Sequence, residues 1–214
     1  MAALENTPAD IVSTDWRAGL PRLESDCVLL RELQRSDAAA LFRIVHTPEI
    51  VRQTWPAPPT IEAFERFIEW TWNQRSAGRY VCFGVVLPRT SELVGMFELR
   101  PLQPRFFRAE LGFFLEPAVW GTAVFDRAAR LLVDFATAVL GVHRIEARAS
   151  VDNARSNAAL RKFGARREGR LRAAFAREGR YVDQNLWAII AGLDARPSIT
   201  RTMTLPRSVR AAQR

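Results

Sequence analysis

The chain has 214 residues, enough for one domain with some excess at its ends, and is 48% hydrophobic and 25% charged, ordinary values for a globular protein with a sizeable core. No apolar run approaches the roughly 20 residues of a membrane span. The start, MAALENTPADIV, lacks the basic residues and apolar core of a secretory signal, so a cytoplasmic location is expected. The net charge of +8 is uneven, because residues 195–214 carry five arginines and no acid, and among 31 Lys+Arg only Lys162 is lysine. A nucleic-acid role would rest mainly on that tail. A solvated extension explains the tail equally well, so nucleic acid is not the expected partner.

Residues 1–22 mix polar and apolar types without a sustained period, which predicts a loose arm before a domain over 23–192, with 193–214 as a flexible basic tail. Residues 27–33 (CVLLREL) read as the first strand. Ser36 is the expected N-cap of an alanine-rich amphipathic helix over 37–45, ended by His46-Thr47-Pro48. A rigid turn, Trp55-Pro56-Ala57-Pro58-Pro59, precedes a helix from Ile61 to about Arg75 that Thr60 can cap. Its apolar face is Phe64, Phe67, Ile68 and Thr71, with Trp70 and Trp72 at the flanks. Residues 80–87 and 93–99 form a hairpin around Pro88-Arg89-Thr90-Ser91. Cys27 and Cys82 fall on these strands as buried thiols; two cysteines supply neither a disulfide framework nor zinc spacing.

Residues 109–164 organise the rest. An apolar strand over 109–115 is followed by a small-residue turn, Trp120-Gly121-Thr122-Ala123. From Val124 the spacing turns helical, with Phe125, Ala128, Leu132, Phe135 and Val139 at steps of three and four, and Gly141 as C-cap. A strand over 142–150 and a helix from Asn153 to Phe163, ended by Gly164, complete a βαβα unit, which normally joins parallel strands by a right-handed crossover. The turn puts free N–H groups of a helix N-terminus near a strand's carboxyl end, a ready site for phosphate oxygens. Two further strands, 166–177 and 182–190, flank Glu178-Gly179-Arg180. The expected fold is α+β: a mixed, largely antiparallel sheet with helices on both faces.

Several fragments fall in an informative order: Glu110-Leu111-Gly112, Trp120-Gly121, LGVHRIEA at 140–147, and Asn153-Ala154-Arg155-Ser156-Asn157. Leu160-Arg161-Lys162-Phe163-Gly164, Glu168-Gly169 and Gly179-Arg180-Tyr181-Val182-Asp183 follow. In order and spacing the set resembles the GNAT superfamily of acyl-CoA-dependent N-acyltransferases, in its RimJ/RimL-type branch, over residues 27–190. The resemblance implies acetyl-CoA as co-substrate, no metal, and a sheet splayed between its fourth and fifth strands, here 107–115 and 142–150. It implies that the pantetheine arm pairs with main chain near Phe114 and Leu115. The pyrophosphate would rest beside Trp120 on N–H groups of Gly121, Thr122, Ala123, Val124 and Phe125, with Asn153 bonding the arm from the other side.

The loop departs from the family's usual Gln/Arg-x-x-Gly-x-Gly/Ala, or Trp-Gly-x-Gly-x-Ala in this branch. Ala123 stands at the central glycine and Phe125 at the final small residue. If position 123 needs a positive φ, alanine costs on the order of 1 kcal/mol; if its φ is helical, alanine is harmless. Phe125 is expected to point into the core.

Acyl transfer to an amine needs a neutral nucleophile, stabilisation of the developing oxyanion and a proton for the leaving thiolate. Glu110 is the candidate base; its other reading is a strand glutamate paired with an arginine, with Glu98 in reserve. Where many superfamily members place an acidic tyrosine this chain has Leu160, and its only tyrosines are Tyr80 and Tyr181. Ser156 is the alternative acid; its other reading is a first-turn residue bonding the backbone, and water can also protonate a thiolate. His46 and His143 read as structural and are too isolated for a metal site.

An α-amine titrates near 7.7–8.0 and a lysine near 10.4, so at pH 7 roughly a tenth of the former is neutral, against well under a thousandth of the latter. A site without a tyrosine acid favours the easier nucleophile, a peptide N-terminus or a small amine. By the resemblance, Trp55 and the Trp70–Trp72 region shape the acceptor cleft; otherwise they pack the helix onto the sheet. Two functions follow: an N-acetyltransferase working by direct attack in a ternary complex, or a non-catalytic GNAT-fold protein that binds acyl-CoA or a protein partner. A homodimer is left open.

Overall fold

In the computed structural model, residues 15–53, 57–103, 106–177 and 179–191 are described. Eight strands make one sheet: β1 (Leu23–Glu24), β2 (Leu29–Glu32), β3 (Val81–Val86), β4 (Leu93–Pro101), β5 (Arg108–Leu115), β6 (Arg144–Ser150), β7 (Arg166–Arg177) and β8 (Arg180–Ile190). Their order is β1-β2-β3-β4-β5-β6-β8-β7. β5 and β6 are parallel and the other neighbours antiparallel, so the expected mixed α+β sheet is the one observed. The short β1 moves the splayed pair from fourth and fifth to fifth and sixth in order.

Five helices cover the two faces: α1 (Ala38–Val45), α2 (Pro48–Val51), α3 (Ile61–Ser76), α4 (Val124–Ala138) and α5 (Ala154–Phe163). α4 buries Ala128, Leu132 and Phe135 against one face, joining Val28, Phe83, Phe97, Ile145 and Leu160 in the larger core. α1 and α3 cover the other face through Leu41, Ile44, Phe64 and Ile68. None of the described helices is long and apolar enough to cross a membrane.

Local chemistry explains most boundaries. Thr60 caps α3, its Oγ1 accepting from Ala63 N at 3.2 Å. Gly164 ends α5 at φ 109° and Gly141 follows α4 at φ 71°, left-handed positions that favour glycine. Ser36, expected to cap α1, instead lies in a 3-10 turn over Arg35–Asp37. The Asp37 carboxylate accepts from Gln34 N and is gripped by both Nη atoms of Arg31. Pro48, expected only to stop α1, also opens α2 at a position where proline's missing N–H is no loss. Residues 15–22, expected to be loose, are partly packed: Leu20 is buried, Trp16 meets Phe106 edge-on at 5.7 Å, and the Arg17 carbonyl accepts from Arg75. The arm before residue 15, the tail from 192, Trp55 and Glu178 lie outside the described residues.

Candidate active site

β5 and β6 pair only from Arg108↔Arg144 to Leu111↔Ala147, yet β5 runs on to Leu115 and β6 to Ser150. Beyond Leu111 the sheet is therefore open. Glu116 N donates to Val94 O at 2.7 Å, and the antiparallel alternation then turns the main chain of Gly112 and Phe114 toward β4. The groups facing the opening are those of Phe113 and Leu115. This corrects the expectation for Phe114, whose polar main chain is used within the β4–β5 ladder. It also narrows that for Leu115, since its carbonyl accepts from Trp120 Nε1 at 2.7 Å.

That indole bond folds the loop after β5 back onto the strand's end and places the N-terminus of α4 at the opening. Gly121 has φ 77°, with nothing within 4 Å of where a Cβ would stand, so it is needed for its backbone and not for space. Ala123 has φ −73° and ψ −9°, helical values, so alanine in place of the usual glycine carries no strain. Thr122 Oγ1 donates to Val119 O at 2.6 Å and accepts from Val124 N at 3.3 Å. Among the described residues, the N–H groups of Gly121, Ala123, Phe125 and Asp126 have no protein acceptor. Four free donors at a helix N-terminus suit an anion. The Phe125 ring packs with Phe113 at 4.9 Å and with Phe97 at 5.7 Å, as expected of a core residue.

These backbone values carry a prediction. Gly121→Ala should cost about 1 kcal/mol in unfolding free energy and weaken acetyl-CoA binding, whereas Ala123→Gly should leave that binding within about twofold. Denaturant unfolding and calorimetry on both variants check it.

Across the opening, Asn153 caps α5, its Oδ1 accepting from Ser156 N at 3.0 Å. Only its amide NH2 remains for a ligand, which limits the role expected of it. Among the described residues Ser156 Oγ makes no hydrogen bond to the protein, unlike the backbone-bonded serine of its alternative reading. Arg155 lies over the Trp120 ring at 3.9 Å, bridging the two rims.

Loop, rims and sheet face enclose a cleft of about 800 Å³ that contains Gly121, Phe125, Asn153 and Ser156 together with Glu98, Glu110, Arg100 and Arg148. Glu110 accepts from Arg100 Nη2 at 2.7 Å and stands 3.8 Å from Arg148 Nε. The structure thus gives it the arginine-paired arrangement, the other of its two readings. Glu98 projects from the same face and accepts from the Tyr80 hydroxyl. Burial pushes its carboxyl above the usual range and the Glu110 charge adds to this, against the opposing pull of Tyr80 and Arg100.

Neither Trp70 nor Trp72 lines the cleft, and Trp55 lies outside the described residues; phenylalanines line it from α3. Phe64 and Phe67 reach the cleft from α3, while Trp72 donates to Leu33 O at 2.9 Å and Trp70, outside it, stacks on Phe67 and meets Tyr80 edge-on. Period-3.6 spacing put Phe64 and Phe67 on α3's inner face, and that pattern was the available signal. His46 Nδ1 meets Phe42 O at 2.9 Å and His143 stacks on Phe107, both at the surface.

Residues 28–166 match the family model described as an acetyltransferase (GNAT) domain. An uncharacterized N-acetyltransferase, YoaA, of Bacillus subtilis (strain 168) is 29% identical over 175 residues, 79% of this chain and 97% of that protein. The structure of Mycobacterium smegmatis RimJ in complex with CoA-disulfide superposes with a TM-score of 0.68 at 24% identity, over 80% of this chain and 86% of that one. Ribosomal-protein-S5-alanine acetyltransferase from Vibrio fischeri gives 0.73 at 19% identity, over 82% and 99%. The two superpositions show a shared fold, and the family match spans more than half of the sequence. The chain belongs to the GNAT acetyltransferase family and is an acyl-CoA-dependent N-acetyltransferase.

Proposed function

We propose that this acetyltransferase moves the acetyl group of acetyl-CoA to an α-amine, at a peptide N-terminus or on a small primary amine, by direct attack while both substrates are bound. The observation that carries the reading is the opened β5–β6 edge running into the unpartnered N–H groups at the start of α4. These groups fit acetyl-CoA: an extended amide arm suits the free main chain of Phe113 and the Leu115 N–H, and a pyrophosphate suits Gly121, Ala123 and Phe125. Thr122 and Val124 shape that loop, Trp120 locks it to β5, and Asn153 and Arg155 bound the far rim. When bound, acetyl-CoA supplies a thioester carbonyl and a thiolate leaving group.

The chain's own residues do the rest. Ser156, with its hydroxyl free, is placed to give a proton to a leaving thiolate. Phe64, Phe67 and Phe114 keep water from the acceptor half. The acceptor preference rests on the larger neutral fraction of an α-amine at pH 7. It is supported by the charge of the cleft, where Arg52, Arg100, Arg148 and Arg155 balance Glu49, Glu98, Glu110 and Asp152 and leave no acidic excess to hold a polyamine. The Vibrio fischeri neighbour, named for a protein alanine, agrees in kind.

Thiol release from acetyl-CoA across peptides with free or blocked N-termini, spermidine and Nα-blocked lysine tests this. Free N-termini should exceed Nα-blocked lysine by at least tenfold in kcat/KM at pH 7. Equal or greater rates on spermidine or blocked lysine would refute the α-amine assignment.

A further inference from the structure

We propose that Glu98, held by the Tyr80 hydroxyl in the space left by Gly112, is the general base that takes a proton from the acceptor amine. The inference rests on the acceptor reading above and names the residue that makes it work.

The position is specific. Glu98 on β4 is paired with Gly112 on β5, and Gly112 is the first residue past the last parallel pair, Leu111↔Ala147. A Cβ at position 112 would stand 2.5 Å from Glu98 Oε1 and 2.8 Å from its Cγ. The missing side chain therefore lets the carboxylate lie beside the β5 backbone at the point where the sheet parts. Glu98 lines the same cleft as Gly121 and Ser156.

Its environment differs from that of Glu110. Glu110 Oε2 accepts from both Nε and Nη2 of Arg100, and Oε1 stands 3.8 Å from Arg148 Nε, so this carboxylate is ion-paired to cations. Glu98 makes its hydrogen bond to a neutral phenol. Burial holds the Tyr80 phenol far above its ordinary range, so it remains a donor at any working pH. The titratable and charged groups facing Glu98 are Tyr80 and Cys82 at and on β3, Arg100 on its own strand and Glu110 on β5. From α3, Trp70 meets Tyr80 edge-on at 5.0 Å and Phe67 stacks on Trp70. A buried carboxylate whose carboxyl is displaced upward is a stronger proton acceptor than a solvated one, which suits it to an ammonium acceptor near neutral pH.

The proton and electron balance is complete. The acceptor arrives as an ammonium, and the Glu98 carboxylate takes one proton, leaving the lone pair on nitrogen. That pair forms the C–N bond as the C–S bond breaks and its electrons leave with sulfur. The sulfur takes the Ser156 hydroxyl proton to give the thiol, the surplus N–H proton restores that hydroxyl, and the Glu98 proton passes to solvent.

The test is the pH dependence of kcat, which reports groups in the substrate-bound enzyme. Wild type should show an acid limb, with kcat rising as Glu98 loses its proton. Glu98→Gln should lose at least about a hundredfold in kcat and the limb with it, while calorimetric acetyl-CoA affinity stays within threefold. Tyr80→Phe removes a donor that favours the carboxylate, so the limb should move to higher pH. Gly112→Ala should displace Glu98 and lower kcat without needing any change at Glu98 itself. Wild-type kcat in Glu98→Gln, or an unmoved limb in Tyr80→Phe, would overturn the assignment even though turnover continued. Absence of thiol release by wild type with every free N-terminus would instead remove the acceptor reading, and the assignment with it.

Discussion

Asn157→Ala is expected to lower the unfolding free energy by about 3 kcal/mol, more than any surface change in this chain. Asn157 Nδ2 donates to Ser150 O and to Asn153 O, each at 2.8 Å, and its Oδ1 accepts from Asn185 Nδ2 at 2.8 Å and Trp187 Nε1 at 2.9 Å. One carboxamide thus ties the end of β6, the first turn of α5 and the middle of β8. Alanine would strand two donors on residues that are almost fully buried, Asn185 and Trp187. Each stranded group costs about 1–3 kcal/mol. The variant should also bind acetyl-CoA more weakly, because Asn153, Arg155 and Ser156 ride on the turn that Asn157 fixes. Denaturant unfolding with a parallel acetyl-CoA titration reads both effects. Unchanged stability would show that the four bonds do not hold α5.

Glu146→Gln is the second large effect, expected at about 2–3 kcal/mol. Glu146 is 4% exposed on β6, accepts from Arg108 of β5 and from Arg144 Nε at 2.9 Å, and Arg144 in turn grips Glu168. These charges hold the closed half of the splay, where β5 and β6 have only four paired positions. Burial pushes the Glu146 carboxyl up, but the hydrogen bonds from Arg144 and Arg108 outweigh it and leave the carboxyl below its ordinary range. Glu168 is also held low, chiefly by Arg144. A depressed carboxyl contributes stability that is complete above the unfolded-state value, about 4.3, and is lost as pH falls through the folded value. Wild type should therefore lose stability below about pH 4 more steeply than Glu146→Gln. Parallel acid-unfolding curves would contradict the network's role.

Most of the frame was legible. Helical spacing marked α1, α3, α4 and α5 because each buries one clear face, while β3, buried along its whole length, was marked by its apolar run. The phosphate loop was legible in place but not in detail. Whether Ala123 is harmful depended on a backbone angle that spacing cannot give, and its helical φ of −73° answers it. The resemblance gives only a neighbourhood, Phe114 and Leu115, whereas the facing of main-chain groups depends on the β4 register. Trp70 and Trp72 drew attention by size, yet the helix turn that carries them points Trp72 at Leu33 and Trp70 at solvent. Gly112 was quoted only as part of a motif. Its physical use, seating the carboxylate of another strand, is a cross-strand property that no single stretch displays. Asp37, not Ser36, stands at the N-cap of α1, and Arg31, six residues before it, holds the aspartate's carboxylate.

Calorimetric titration of the full chain with acetyl-CoA, with desulfo-CoA as the non-reactive comparison, tests the central claim most directly. The opened edge and the free N–H groups at the start of α4 predict saturable binding of both, with a dissociation constant on the order of micromolar, about −8 kcal/mol. No binding of either at millimolar concentration would contradict the account of the β5–β6 opening as the acetyl-CoA site.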